Sequence, residues 1–191
     1  MTAMATSRTW TGPAVRWTHH WETALEAPEH RALAGLLARS YPATPTVFSR
    51  EHSWAGARPE LRVLGRRDGR IVAHAAVVRR FLRTPGPSVL VGDVGLVAVH
   101  PDEQGTGLGA ELMDAVAMTL AELGLPFGFL TCDPDVRPFY RRCGWTPLAE
   151  RVRSIRVDDL VEDRRHGMVL PVHRSLGDWP AGSVTRDGQE I

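Results

Sequence analysis

The chain has 191 residues, of which 43% are hydrophobic and 24% charged, a composition typical of one ordinary folded domain. Its 23 Lys and Arg residues nearly balance 22 Asp and Glu residues, and a net charge of +1 disfavours binding to nucleic acid through its phosphates. The sequence contains neither an apolar run of membrane-spanning length nor a signal-peptide core, so we expect a cytoplasmic protein without a membrane partner.

The first half of the chain predicts strands that pair in hairpins. Residues 1–13 have no hydrophobic period and are interpreted as a flexible leader before a single domain at 14–191. The dipeptide Asp68-Gly69 predicts a tight turn, because both residues accept positive φ angles. The elements predicted here are a strand at 14–19, a helix at 28–41, strands at 61–64 and 71–82, and a long central strand at 89–99.

The second half alternates helices with strands. Leucine and valine recur at helical spacing after Gly107, and Gly124 is suited to end that helix. The elements predicted here are a helix at 107–123, a strand at 126–131, a helix at 135–142 and a strand at 168–172. Hairpin strands followed by this alternation predict an α+β fold with a central mixed sheet flanked by helices.

A glycine-rich turn, Gln104-Gly105-Thr106-Gly107-Leu108-Gly109, joins the long strand to the next helix. Glycines let the backbone approach a ligand, and the helix behind adds the positive end of its dipole, so the turn suits a diphosphate. A structural loop and a dinucleotide fingerprint are the alternatives. The dinucleotide alternative is disfavoured, because the turn follows four predicted strands and no strand with a ribose-binding acid comes about 20 residues later.

The turn resembles the coenzyme A motif of the GNAT acyltransferases in every defined position, and Val99-x-Pro101 precedes it as in that family. The segment 137–145 resembles the second GNAT signature, a helix with Phe-Tyr followed by glycine and an aromatic residue. The resemblance implies the GNAT fold and acetyl-coenzyme A as co-substrate, without a metal. The cofactor-binding residues it implies are Val97, Ala98, Val99, Gln104, Gly105, Thr106, Gly107, Leu108, Gly109, Phe139 and Arg142.

Two branches of sugar-modifying enzymes resemble the rest of the chain. Residues 71–80 and the tail 178–182 are similar to aminoglycoside 2′-N-acetyltransferases. Residues 53–60, the apolar patch 125–129 and the ending 179–182 resemble nodulation protein A, which loads a fatty acyl chain onto a chitooligosaccharide amine. Both relatives acylate an amino group on a sugar, so we expect a small-molecule amino sugar as acceptor.

The intact glycine turn favours antibiotic acetylation, because nodulation protein A has a degraded version of it and acetyl-coenzyme A then suffices as donor. We therefore expect an aminoglycoside N-acetyltransferase that confers antibiotic resistance. A mixture of the two patterns suits the branch that acts on kasugamycin. The resemblance is also compatible with a homodimer.

Transfer to an amine needs a base for the nucleophile and an acid for the leaving thiolate. Tyr140 resembles the family's general acid, or else only packs. Asp93 interrupts an apolar strand and is either a base acting through water or a structural acid paired with an arginine. Related enzymes often carry glutamate where this chain has Gly95, on the same strand face. His74 could relay a proton or be a core histidine.

Acceptor recognition is predicted from acids and tryptophans. A cationic amino sugar would be bound by Asp93, Asp133 and Asp178, while Trp54 and Trp179 would stack on its rings or pack in the core.

Three other functions stay open. A nodulation protein A-like fatty acyltransferase would be favoured by an apolar tunnel beside Phe127 and Phe129. A GNAT-like module could bind coenzyme A without catalysis, although Tyr140 and Asp93 argue against it. Protein N-acetylation would need a groove for an extended peptide.

Overall fold

The structure, a computed structural model, describes residues 14–156, 159–162 and 165–191. The predicted leader, residues 1–13, lies outside this part of the chain. The helices are α1 (Ala27–Ser40), α2 (Leu108–Glu122) and α3 (Arg137–Arg142). The strands are β1 (Arg16–Trp21), β2 (Leu61–Arg67), β3 (Arg70–Arg83), β4 (Val89–Val99), β5 (Phe127–Cys132), β6 (Thr146–Pro147), β7 (Val152–Arg156), β8 (Asp159–Glu162), β9 (His166–Pro171) and β10 (Val184–Asp187).

The predicted α+β fold with a mixed sheet flanked by helices is confirmed. Each predicted helix and strand forms, with ends displaced by a few residues. The hairpin turn between β2 and β3 has φ +50° at Asp68 and +79° at Gly69, as the dipeptide predicts. Strands β6, β7, β8 and β10 were not predicted, because each has five residues or fewer and no extended hydrophobic alternation.

The sheet runs in the order β6-β9-β5-β4-β3-β10-β7-β8, and β2 also pairs with β3 and carries β1 at its far edge. Strand β4 lies between β3, which is antiparallel to it, and β5, which is parallel. The β4–β5 pairing covers only Val91–Asp93 against Phe127–Phe129. Beyond Asp93 the two strands are no longer paired, and a gap opens between them.

Helix α2 covers one face of the sheet through a cluster that includes Leu112, Val116 and Leu120. The opposite face is covered at one end by α1, with Leu33 and Leu37, and at the other by β7 and β10. Alternate residues of the central strands enter the two sides, as β geometry requires. The sheet, including the gap between β4 and β5, lies between α2 on one side and α1, β7 and β10 on the other.

The partners Gly92 and Gly128 form a small groove under Leu120 of α2. A Cβ at Gly128 would lie 2.8 Å from Leu120 Cδ1 and 3.0 Å from Trp145 Cη2, and both side chains are fully buried. The absence of a side chain at these positions thus lets α2 sit close to the sheet.

We expect Gly128→Ala to lower the free energy of unfolding by about 1–3 kcal/mol, because the buried core must shift to admit the methyl group. Urea denaturation measures the change. Gly35→Ala is the control: nothing lies within 4 Å of a Cβ there, so alanine in the middle of α1 should stabilise by about 0.5–1 kcal/mol. Equal stability of the Gly128→Ala protein and the parent would contradict this account of the α2–sheet contact.

Candidate active site

A cavity of about 640 Å³ lies where β4 ends and α2 begins. It brings together eight of the predicted cofactor residues: Val97, Val99, Gln104, Gly105, Gly107, Gly109, Phe139 and Arg142. Thr106 lies on the same turn, exposed, with its hydroxyl donating to the Glu103 carbonyl at 2.7 Å. The side chain of Leu108 is instead buried in the cluster on the α2 side of the sheet, and that of Ala98 in the cluster on the α1 side. Only the backbones of these two residues could therefore contact a cofactor.

The glycine turn has the backbone that an anion site requires. Gly105 and Gly107 have φ of +76° and +98°, and nothing lies within 4 Å of a Cβ at either position. Gly107 is also the N-cap of α2, a 15-residue helix whose first N–H groups have no intrahelical acceptor. The Gln104 side chain donates to the Val99 carbonyl at 3.1 Å and ties the turn to β4. These residues fit a diphosphate, with Arg142 as a nearby cation.

A second cavity of about 450 Å³ lies in the gap between β4 and β5. Its lining comes from the loop after α1, from β4, from Thr131 and Tyr140, and from residues 189–191. Val97 lines both cavities. Val97 therefore marks the place where a donor bound on the glycine turn would meet an acceptor.

Strand β4 carries a bulge beside Val97. Leu96 has φ +48°, a left-handed conformation that is uncommon outside glycine, and the β3–β4 register shifts between His74 and Ala76. Val94 packs on the α2 side, Leu96 and Ala98 pack on the α1 side, and Val97 returns to the α2 side. The bulge thus turns Val97 towards the two cavities.

His74, on the neighbouring strand β3, stabilises the bulge through a hydrogen bond. Its Nδ1 lies 2.8 Å from the Leu96 carbonyl, and its Nε2 lies 3.1 Å from Arg62 Nη1. Because arginine can only donate, Nε2 accepts, the proton resides on Nδ1, and Nδ1–H donates to Leu96. Glu22 in turn accepts from Arg62 at 2.7 Å and 3.1 Å, which compensates the buried guanidinium.

Burial and the adjacent Arg62 charge hold the pKa of His74 well below its usual 6.5. His74 is fully buried and is not part of either cavity lining. The structure therefore places it as the core histidine of the two interpretations, with its hydrogen bonds directed at β4 instead of at a substrate.

Tyr140, for which a general acid and a packing role were the alternatives, lines the smaller cavity. Burial raises the pKa of its hydroxyl above the ordinary value, so the group is protonated at neutral pH. Tyr41 lies across the same cavity, and its hydroxyl donates to the Val97 carbonyl at 2.9 Å. Burial likewise raises the pKa of Tyr41, to about 12.

Asp93 does not lie where the predicted base would be needed. It is 1% exposed and is paired with Arg80 Nε at 3.0 Å and with Arg186 Nε at 3.3 Å. It is also absent from the residues that line either cavity. The geometry corresponds to the structural acid paired with arginine, not to a base acting through water on a substrate.

The predicted acceptor residues are dispersed. Asp133 is exposed after β5, and Asp178 caps its own turn by accepting from the Ser175 N–H at 3.0 Å. Trp179 packs edge-on against Phe127 at the opposite end of β5, and Trp54 packs beside His52. None of these side chains lines the cavity that holds Tyr140, so the predicted carboxylate cluster does not form.

Sequence reasoning missed several residues of that cavity. They are Tyr41, Thr44, Phe48, Ala55, Gly56, Arg165, Gln189, Glu190 and Ile191. Most lie in irregular segments, where no hydrophobic period indicates their direction. One feature of the sequence could have indicated that another segment covers β4 here. It is Gly95, which stands where related enzymes carry an acid.

Solved structures share this architecture. The coenzyme A complex of the GNAT family N-acetyltransferase YhbS from Escherichia coli gives a TM-score of 0.60 at 19% identity, over 93% of both chains. ElaA of Escherichia coli gives 0.59 at 17% identity, over 82% of this chain and 99% of its own. The predicted GNAT fold is confirmed.

The family model of nodulation protein A matches residues 13–191. Nodulation protein A of Bradyrhizobium elkanii is 37% identical over 93% of this chain and 92% of its own length. That of Mesorhizobium plurifarium is 37% identical over 93% of this chain and 98% of its own. The chain belongs to the nodulation protein A family.

Membership of the nodulation protein A family corrects the predicted function. The acyltransferase class stands, but the aminoglycoside acceptor, kasugamycin and antibiotic resistance are wrong. The segments that suggested them do not line the smaller cavity: residues 71–80 are inside β3, and residues 178–182 form a surface turn. The intact glycine turn lines the larger cavity and not the smaller one that Tyr140 lines, so it does not indicate the acceptor.

Within the part of the chain that the structure describes, no helix is long and apolar enough to cross a membrane.

The depressed pKa of His74 makes stability depend on pH. Above about pH 6.5 the histidine is neutral in both states, whereas below it the unfolded chain binds a proton that the folded protein does not. The free energy of unfolding should therefore fall as pH drops below about 6.5. His74→Asn removes this titration, so its denaturation series should show a shallower slope than the parent's. Identical slopes would contradict the assigned protonation state.

A matched pair at the same position separates the donor from the side-chain volume. Asn and Leu have the same number of side-chain heavy atoms and branch at the same atom, but only Asn can donate to the Leu96 carbonyl. At pH 8, where His74 is neutral, we expect His74→Leu to be about 1–3 kcal/mol less stable than His74→Asn, because it leaves a buried carbonyl without its partner.

Proposed function

We propose that this protein transfers a long acyl chain from a coenzyme A thioester to the free amine of a chitooligosaccharide. The observation that carries the proposal is the family match over residues 13–191, since the resemblance to nodulation protein A implies this reaction. The acceptor then carries one amine, instead of the several of an aminoglycoside, which agrees with the absence of a carboxylate cluster among the described residues that line the smaller cavity.

The donor half of the proposal is supported by the larger cavity. Gly105 and Gly107 present open backbone at the start of α2, and Arg142 adds a positive charge. When bound there, coenzyme A would supply the activated acyl group as a thioester. Among this chain's residues, the free edge of β4 at Val97 and Val99 would align the pantetheine arm, in the way that the GNAT resemblance implies.

The reacting atoms are expected beside Val97, where the two cavities meet. An amine in the smaller cavity would attack the thioester carbon, and Tyr140 would protonate the departing sulfur. Burial raises the pKa of Tyr140, so its hydroxyl still carries, at neutral pH, the proton that the departing sulfur would take.

The acyl chain is not expected beside Phe127 and Phe129. Both rings are buried in a cluster with Val152 of β7 and Val184 of β10. Side chains therefore occupy the space in which the sequence suggested an apolar tunnel. The apolar contacts available near Val97 come from the smaller cavity, through Phe48, Leu96 and Ile191. These residues are the proposed contact for the first part of the acyl chain.

A donor and acceptor panel tests the proposal. Palmitoyl-coenzyme A and acetyl-coenzyme A are each combined with a glucosamine-terminated chitooligosaccharide, with its fully N-acetylated form and with an aminoglycoside, and thiol release is measured. We expect release only with the long acyl donor and the glycan that has a free amine. Binding of coenzyme A without any transfer would instead support a non-catalytic module.

Tyr140→Phe keeps the aromatic packing but removes the proton donor. Turnover should fall by about 10²-fold or more, while the donor affinity measured by calorimetry stays within about twofold, because the hydroxyl acts only as the thiolate leaves. Unchanged turnover, with the chemical step shown to be rate-limiting, would assign Tyr140 to packing alone.

A further inference from the structure

Residues 189–191 occupy the space above Gly95. A Cβ at Gly95 would lie 2.9 Å from the Ile191 carbonyl oxygen and 3.0 Å from its Cβ. A side chain at 95, such as the glutamate of related enzymes, therefore has no room while this segment is in place. The segment covers β4 where the strand borders the cavity that Tyr140 lines.

The same segment is held from its other side by Gly56. A Cβ at Gly56 would lie 2.2 Å from the Glu190 carbonyl oxygen, and Gly56 has φ +72°, which favours glycine. The neighbouring Ala57 N–H donates to that same carbonyl at 2.8 Å. Backbone contact at Gly56 and Gly95 thus fixes the position of Glu190.

This placement brings the Glu190 side chain to the cavity. Thr131 Oγ1 donates to its Oε1 at 2.6 Å, and the side chain is 19% exposed, in contrast to 1% for Asp93. Glu190 and Tyr140 both line the cavity beside Val97. Among the described residues that line it, Glu190 has the only carboxylate side chain.

Arginines surround the Glu190 carboxylate. Arg165 forms an ion pair with Oε2, and Arg186 Nη1 lies 3.9 Å from the same oxygen. Arg186 also binds Asp93, so its charge is shared between two acids. Asp93 thus balances part of the positive charge of Arg186, next to Glu190. A glutamate carboxylate is ordinarily ionised at neutral pH, which is the form that can accept a proton.

The geometry points to Glu190 as the group that takes the proton of the acceptor amine, an inference that rests on the proposed function. The ammonium gives one proton to the carboxylate, and the free nitrogen forms the C–N bond to the thioester carbon. The C–S bond then breaks, and the thiolate takes the Tyr140 proton. The second nitrogen proton passes back to Tyr140, so one proton is released from Glu190 to solvent.

The test compares Glu190→Ala with the parent, using palmitoyl-coenzyme A and a glucosamine-terminated chitooligosaccharide. We expect turnover to fall by about 10²-fold while the calorimetric affinity for the donor is unchanged. The Glu190 backbone contacts are kept in this variant, and thermal melting checks its folding. Added formate, a small carboxylate, should restore part of the lost turnover. Glu60→Ala, which removes an acid paired with an arginine outside both cavities, is the matched control and should match the parent.

The outcomes separate the two levels of the proposal. A parent that transfers the acyl chain, beside a folded Glu190→Ala protein with more than half of the parent turnover, overturns the role of Glu190 alone. A large loss of turnover that formate does not reverse also overturns it, because the loss then reflects the arrangement of Arg165 and Arg186. A parent that transfers no acyl group to any glycan amine overturns the proposed function and this inference with it.

Discussion

The hydrogen bond from His74 to the Leu96 carbonyl is the contact on which the site depends. A left-handed leucine persists only where its surroundings hold it, and here the holding group is a buried histidine with one defined tautomer. The bulge shifts the register of β4 by one residue, and this shift decides on which face of the sheet the Val97 side chain lies. Without it, Val97 would lie on the same face as Asp93 and Gly95 and not on the α2 side, where it now packs.

Two buried arginines maintain this geometry from different sides. Arg62 and Arg186 are both fully buried. Arg62 contacts His74 beside the bulge, and Arg186 lies next to Glu190. Burying an ion pair contributes little net stability, but removing one partner from such a pair is strongly destabilising. A guanidinium with several fixed acceptors also allows few alternative arrangements. Through their contacts with His74 and Glu190, these networks restrict the direction of the Leu96 carbonyl and of the Glu190 side chain.

The sequence predicts what depends on neighbours along the chain. The turn at Asp68-Gly69 and the phosphate-binding turn around Gly107 follow from local φ requirements, and the long strand at 89–99 follows from its composition. For Asp93 the sequence left a base and a structural acid as alternatives, because its arginine partners come from other strands and no local pattern indicates them. Glu190 was missed for the complementary reason, since it lies outside any strand or helix and is positioned by glycines distant in sequence.

The wrong acceptor has a related physical cause. The glycine turn is the most recognisable part of the chain, but it lines only the larger cavity. That cavity shares the single residue Val97, which belongs to β4, with the smaller one. In the proposed function the acceptor would instead be surrounded by the lining of the smaller cavity, which includes the loop after α1, Gly56 and residues 189–191. Loops of this kind can change without disturbing the donor turn or the sheet. One fold can therefore keep its thioester site and exchange one amine for another, and the acceptor must be inferred from those loops.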